Sequence, residues 1–449
     1  MAGAQPLTTP ADAPRTGLGI QIGYSVGQIA GQVFRDLPSL LLLFFMTNVL
    51  GIAPALAGAA IFVPKLLWGA SADMLVGVWS DRLRHKIPRR WWLLAGVFGA
   101  PVAMILLFHV PEGSTTLKVA YVAGVFAIYM GVFASFSVPY LAMASEYTGS
   151  PAERNIIMAW RLVFTAIGIG FSGMIAPYLI GQFGGGQEAY EKMSYVLAVV
   201  CPVALLVTFF VTGRVKAAPQ PEALAERLDR LSFRQAASVL MQRKFSSLLI
   251  ANLLLLTAGG MGYASMLYFL TYNMGRPDAF QLIGVIVAAA CAGIIVAQPL
   301  WVQVAKRVGK VNGYVIAAAI YGLSYTIWAF GAGWGVQVAI LISFIAAIGN
   351  SGWAMLGFSM VSDFAADDPR NAGLYSASWI AVDKIAFALG GTLLVGSILS
   401  IAGFDSARAV QGLPQSENAL VGVMWSFGIG PGILTLISCL IVLKFQKRD

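Results

Sequence analysis

The chain has 449 residues, 58% of them hydrophobic and 11% charged, with a mean hydropathy of +0.77. A soluble globular protein carries about 25% charged residues, so this chain has too few to cover a water-facing surface of its length. A soluble enzyme, a disordered chain and a disulfide scaffold are excluded, leaving a polytopic membrane protein whose solvent is mostly lipid.

Residues 1–19 are polar, with Pro6, Pro10 and Pro14, and lack the charged-then-apolar pattern of a cleaved signal. They are expected to form a cytoplasmic tail. A helix crossing roughly 30 Å of hydrocarbon needs about 20 apolar residues. Twelve runs qualify: 20–49, 54–78, 91–109, 117–145, 156–182, 193–213, 246–273, 279–305, 313–332, 335–363, 371–403 and 419–444. The expected fold is all-α, with an N-terminal six-helix bundle over 20–213, a basic cytoplasmic linker over 214–245 and a C-terminal six-helix bundle over 246–445. Within the linker, 223–240 reads as an amphipathic helix lying on the membrane, or as a solvated connection.

Twenty-one Lys or Arg fall on the side that carries both termini, among them Arg82, Arg89, Arg90, Lys306, Arg307 and Lys310. Four fall on the other: Lys118, Lys192, Arg276 and Arg408. The positive-inside rule therefore places both termini in the cytoplasm. The formal net charge of +9 is a topology signal. Nucleic-acid binding would need basic residues gathered on one folded surface, and here they are spread over loops. Cys201, Cys291 and Cys439 sit in apolar runs without ligand spacing and read as packing residues.

Charges inside spans cost about 2.5–3.5 kcal/mol each on insertion scales and usually line a polar cavity. The bases are Arg35, Lys65, Arg161 and Lys384; the acids are Asp36, Asp73 and Asp383. Arg35 and Asp36 are sequence neighbours pointing about 100° apart on a helix, and are not expected to neutralise each other side by side. No His–Glu–x–x–His metal motif, glycine-rich phosphate loop or Ser/His/Asp grouping is present, so neither an enzyme nor a cofactor is expected.

Four stretches resemble the glycoside–pentoside–hexuronide:cation symporters of the major facilitator superfamily. They are the aromatic run ending Met46-Thr47-Asn48-Val49-Leu50-Gly51; the segment from Trp68 through Asp73 and Gly77 to Asp81-Arg82; Pro139-Tyr140 through Glu146, Arg154 and Arg161; and Tyr375 through Trp379, Asp383 and Lys384 to Gly390. The resemblance covers about residues 20–445 and implies a secondary transporter with a cavity between two bundles. It places Arg161 and Lys384 in that cavity from opposite halves. It also makes Asp73 the first candidate for cation coupling, with Asp36 the second.

The departures narrow the chemistry. The family's first acid in the second span falls at Gly69 or Trp68, its first-span acid at about Gln32 and its fourth-span acid at about Ser137. Sodium prefers several hard oxygen ligands, whereas one carboxylate beside a base is sufficient for a proton. The expected activity is proton-coupled rather than sodium-coupled symport of a sugar, glycoside or uronate across the inner membrane, by a monomer. The alternative is carriage of an amphipathic or anionic molecule (lysolipid-like or drug-like), with or without coupling.

Gln32, Ser137 and Asn350 are candidate hydrogen-bonding residues for the small-molecule substrate. Trp353 and Trp379 would stack on a ring, or pack between helices. Asp81 with Arg82, Glu146 with Arg154, and Asp363 with Arg370 are the candidate cytoplasmic gate pairs.

Overall fold

The computed structural model describes residues 17–83, 86–146, 151–214, 238–368 and 371–446, without the side chains of 70, 145–146, 151–155 and 372. The expected tail and most of the linker, including the amphipathic stretch, lie outside the described residues. Among the described residues, twelve helices are long and apolar enough to cross a membrane. They are α1 (Leu18–Asn48), α2 (Pro54–Leu83), α3 (Arg89–Phe108), α4 (Thr115–Ala144), α5 (Ile156–Gln182), α6 (Gln187–Thr212), α7 (Arg243–Asn273), α8 (Ala279–Val308), α9 (Lys310–Phe330), α10 (Val336–Asp367), α11 (Gly373–Ile401) and α12 (Glu417–Gln446).

Several helices outrun their apolar stretch. α2 continues to Leu83 and α6 begins at Gln187, because a polar end turn stays hydrogen-bonded after it leaves the hydrocarbon. Pro54 opens α2, where its missing N–H is no loss. The Ser416 side chain accepts from the Ala419 N–H at the start of α12. α8 and α9 are separated by Gly309 alone, at φ 81°. Between α7 and α8, Arg276 donates to both carboxylate oxygens of Asp278, at 2.8 and 2.7 Å. That hydrogen bonding is the main reason the Asp278 carboxyl lies below its ordinary pKa.

α1 and α7 are the most buried helices, with 78% and 67% of their most apolar windows covered. Around them α3 packs on α4 and α6, α9 on α10 and α12, and α8 on α10. The first and last six helices meet along α2–α11, α5–α8 and α1–α7, with close contacts at the end where α1 finishes and α2 begins. Single π-helical turns, which often mark functional sites, interrupt α2 at Lys65–Gly69, α5 at Phe171–Ile175 and α11 at Leu389–Leu394.

Glycine makes the α2–α11 contact close. A Cβ on Gly58 would lie 2.4 Å from the Thr392 carbonyl oxygen, and one on Gly396 would lie 2.4 Å from that of Pro54. Both obstacles are backbone, so no side chain can step aside. Gly58→Val should therefore hold this end apart and stop transport. A cysteine at Ile52, buried here at 0% exposure, should then react with an impermeant maleimide from that side; continued protection of Ile52→Cys would refute the contact.

Candidate functional site

The site begins on α1. Gln28, Gln32 and Asp36 recur every fourth residue and share one helix face. Gln32 Nε2 donates to Asp36 Oδ2 at 2.6 Å. Arg35 Nε donates to Asp36 Oδ1 at 3.2 Å. This corrects the expectation that the two neighbours could not pair. Their Cα–Cβ bonds diverge, but the arginine stem is long enough to curl back, leaving Arg35 60% exposed while Asp36 stays 12% exposed.

Arg161 reaches α1 from α5. Its Nε and Nη2 both donate to Gln28 Oε1, at 3.2 and 2.8 Å, and its guanidinium sits 5.5 Å from the Tyr140 ring centroid. Tyr140 is itself braced. It stacks on Tyr24 at 4.8 Å, and each hydroxyl donates to the other's carbonyl oxygen, at 2.7 and 3.1 Å. Arg161 is thus aimed by an amide and a ring, both neutral.

The second part joins the halves. Lys384 Nζ, in the first half of α11, donates to Asp73 Oδ2, in the second half of α2. Lys65, on the π-helical turn of α2, lies within electrostatic reach of Arg35, Asp36, Asp383 and Lys384, and Arg35 within reach of Asp383. α1, α2 and α11 therefore gather three bases and three acids, and Arg161 adds a fourth base bound to neutral partners. Such a site can hold an anion or a set of hydroxyls, and can take up a proton on a carboxylate. Among the described residues, no group of His, Cys, Asp and Glu is arranged to hold a metal.

Trp353 and Trp379 are 4% and 8% exposed and belong to the core of the second half. Trp353 packs near Tyr321, and Trp379 fills the space beside Gly357. Ser137 on α4 and Asn350 on α10 are half-buried. Asp81 pairs with Arg89 at the start of α3, while Arg82 is exposed. Asp363 accepts from Lys310, at 2.6 and 2.7 Å; its expected partner Arg370 lies outside the described residues. The Glu146 and Arg154 side chains are also outside them. Gln28, Arg89 and Lys310 were missed as partners. Only Gln28 carried a signal, its place four residues before Gln32 on the face that ends in Asp36.

The MFS/sugar transport protein family matches residues 23–447 of this chain. The chain belongs to that family. It is 25% identical over 444 residues to the inner membrane symporter YicJ of Escherichia coli strain K12, covering 95% of this chain and 91% of that protein. It is 27% identical over 411 residues to the putative glycoside/cation symporter YagG of the same strain, covering 87% and 84%. The nucleoside transporter NupG shares the fold, with a TM-score of 0.67 at 13% identity over 97% of this chain and 100% of that one. This family member therefore falls in the glycoside–pentoside–hexuronide:cation symporter branch of the major facilitator superfamily. It is a multi-pass membrane transporter, not an enzyme.

Proposed function

We propose that the chain is a proton-coupled symporter of a glycoside or uronate in the inner membrane, alternating access between bundles 20–213 and 246–445, with both termini cytoplasmic. The observation that carries the reading is the Asp73–Lys384 pair, a titratable tie between two helices that must move relative to each other. With the basic loops inside, the closed end faces outward and the pair lies toward the cytoplasm. A proton on Asp73 removes the charge that holds Lys384 and frees α2 from α11. The substrate binds beside it, on Arg161, Gln32 and the charges of α1.

Sodium fits this donor set poorly. The one carboxylate of the α2 site is taken by Lys384, and Gly69 and Ser137 supply no second one. Among the described residues Arg161 has no carboxylate partner, which favours an anionic substrate such as a uronate over a neutral one.

A thermal-stability screen of the purified protein against sugars and uronates, at two pH values with and without sodium, tests this. A ligand at about a hundred times its Kd adds about 2.7 kcal/mol and raises the melting point by a few degrees. The expected result is a uronate shift that is larger at low pH and indifferent to sodium. A shift that requires sodium alone would overturn proton coupling, and a shift insensitive to both would point to an uncoupled facilitator.

A further inference from the structure

At the end opposite the Asp73–Lys384 pair, a cavity of about 760 Å³ lies on the seam between the two halves. α1 contributes Phe44 and Asn48, α6 its first residue Gln187, α7 Thr271 and Tyr272, and the α11–α12 connection Leu413. Among the described residues no acid, lysine, arginine or histidine lines it. The volume is in the range that encloses a small organic ligand.

Its floor is a chain of neutral hydrogen bonds that fastens α1 to α7. The Tyr272 hydroxyl donates to Asn48 Oδ1. Asn48 Nδ2 donates to Thr47 Oγ1 at 2.9 Å, and Thr47 shares a hydrogen bond with the Tyr268 hydroxyl at 2.6 Å. The wall from α11–α12 is a built structure. Asp405 and Gln415 exchange two hydrogen bonds at 2.9 Å, and Arg408 Nε donates to the Pro414 carbonyl at 2.9 Å.

This chemistry selects its ligand. A charged group would find no counter-ion, and would lose hydration that the lining cannot replace. An apolar ligand would strand the amide and phenol of the floor, at about 1–3 kcal/mol for each unsatisfied group. Hydroxyls on a ring can exchange bond for bond with Asn48 and Tyr272 while the ring's carbon face lies against an aromatic side chain.

We propose that this cavity is an outer receiving site for the uncharged sugar ring of the substrate, and that the ring's hydroxyls replace the Asn48–Tyr272 bond and so release the closed end. The site is separate from the charged cluster, and the assignment rests on the sugar-symport reading and its membrane orientation. A ligand that binds better when the latch is undone shifts the population toward the outward-open state.

The test is uptake by full-length protein in membrane vesicles, with glucose, xylose, methyl β-glucoside and methyl β-glucuronide as probes. Tyr272→Phe keeps the ring and removes the hydroxyl; Leu413→Trp fills the cavity from an exposed wall position and leaves the latch intact. Leu413→Trp should raise the external KM about tenfold for any probe the unaltered protein carries, and Tyr272→Phe, which removes a ligand contact and the latch together, should change both the KM and the maximal rate. Wild-type KM in both variants overturns the proposal. A change in Tyr272→Phe alone also overturns it, because the latch would then act without a ligand beside it. If Tyr272→Phe fails to fold, Leu413→Trp decides by itself. Absence of uptake of every probe by the unaltered protein defeats the sugar-symport reading, and the receiving site with it.

Discussion

Asp73→Asn should abolish accumulation of substrate against a gradient while leaving exchange across the membrane intact. Asparagine matches aspartate in shape but carries no charge and takes up no proton, so transport and proton movement lose their link. The variant should fold. Removing one partner of a fully buried ion pair costs about 3–5 kcal/mol, but Lys384 is 48% exposed and water can solvate the stranded ammonium. The structural cost falls in the exposed-pair range, about 1 kcal/mol or less. The check is radiolabelled substrate in proteoliposomes. Uptake driven by a pH gradient should level off at the outside concentration, while counterflow continues at a rate within a few-fold of wild type. Continued uphill accumulation would remove Asp73 from the coupling site and move attention to Asp36, which Gln32 and Arg35 already hold in place.

Arg161→Ala should destroy binding itself, and most severely for an anionic substrate. Each hydrogen bond from a charged donor contributes about 1.5–3 kcal/mol, so loss of two weakens Kd by about a hundredfold or more. The fold should again survive. What remains is the half-buried Gln28 carbonyl without the two N–H donors of Arg161, at about 1–3 kcal/mol. Arg161→Lys is the informative companion, since a lysine restores the charge but not the planar fork that grips Gln28. Titration calorimetry should rank wild type above lysine and lysine above alanine. Equal affinities in all three would take Arg161 out of the substrate site.

Much of the molecule was legible in the chain. The twelve spans, the four cationic and three anionic intrusions, and the family stretches around Asp73, Arg161 and Lys384 are local properties, because hydropathy and charge are carried by consecutive residues. Partners were harder to read. Asp81 was paired with Arg82 as a candidate, yet it meets Arg89, which was not foreseen. Asp363 also meets Lys310, which was not foreseen, because the α8–α9 connection is a single glycine that brings the start of α9 beside the end of α10. Trp353 and Trp379 carried no sign of which helix face they occupied. α10 and α11 are apolar nearly all round, so only packing shows that both rings fill the core of the second half.

The sequence by itself determined that this is a twelve-helix membrane protein, because lipid as solvent requires long apolar helices and tolerates buried charge only where it has a partner, while its four motif stretches carried the resemblance to a transporter family. Only the tertiary structure decided which charges meet. Lys384 finds Asp73 across 311 residues, and Arg161 finds Gln28 across 133. The rotation and offset of packed helices set those pairings, and no local pattern encodes them. It also decided that one end is shut by neutral contacts, through the approach of Gly58 to Thr392 and the hydroxyl and amide bonds between α1 and α7, while the titratable tie sits toward the other.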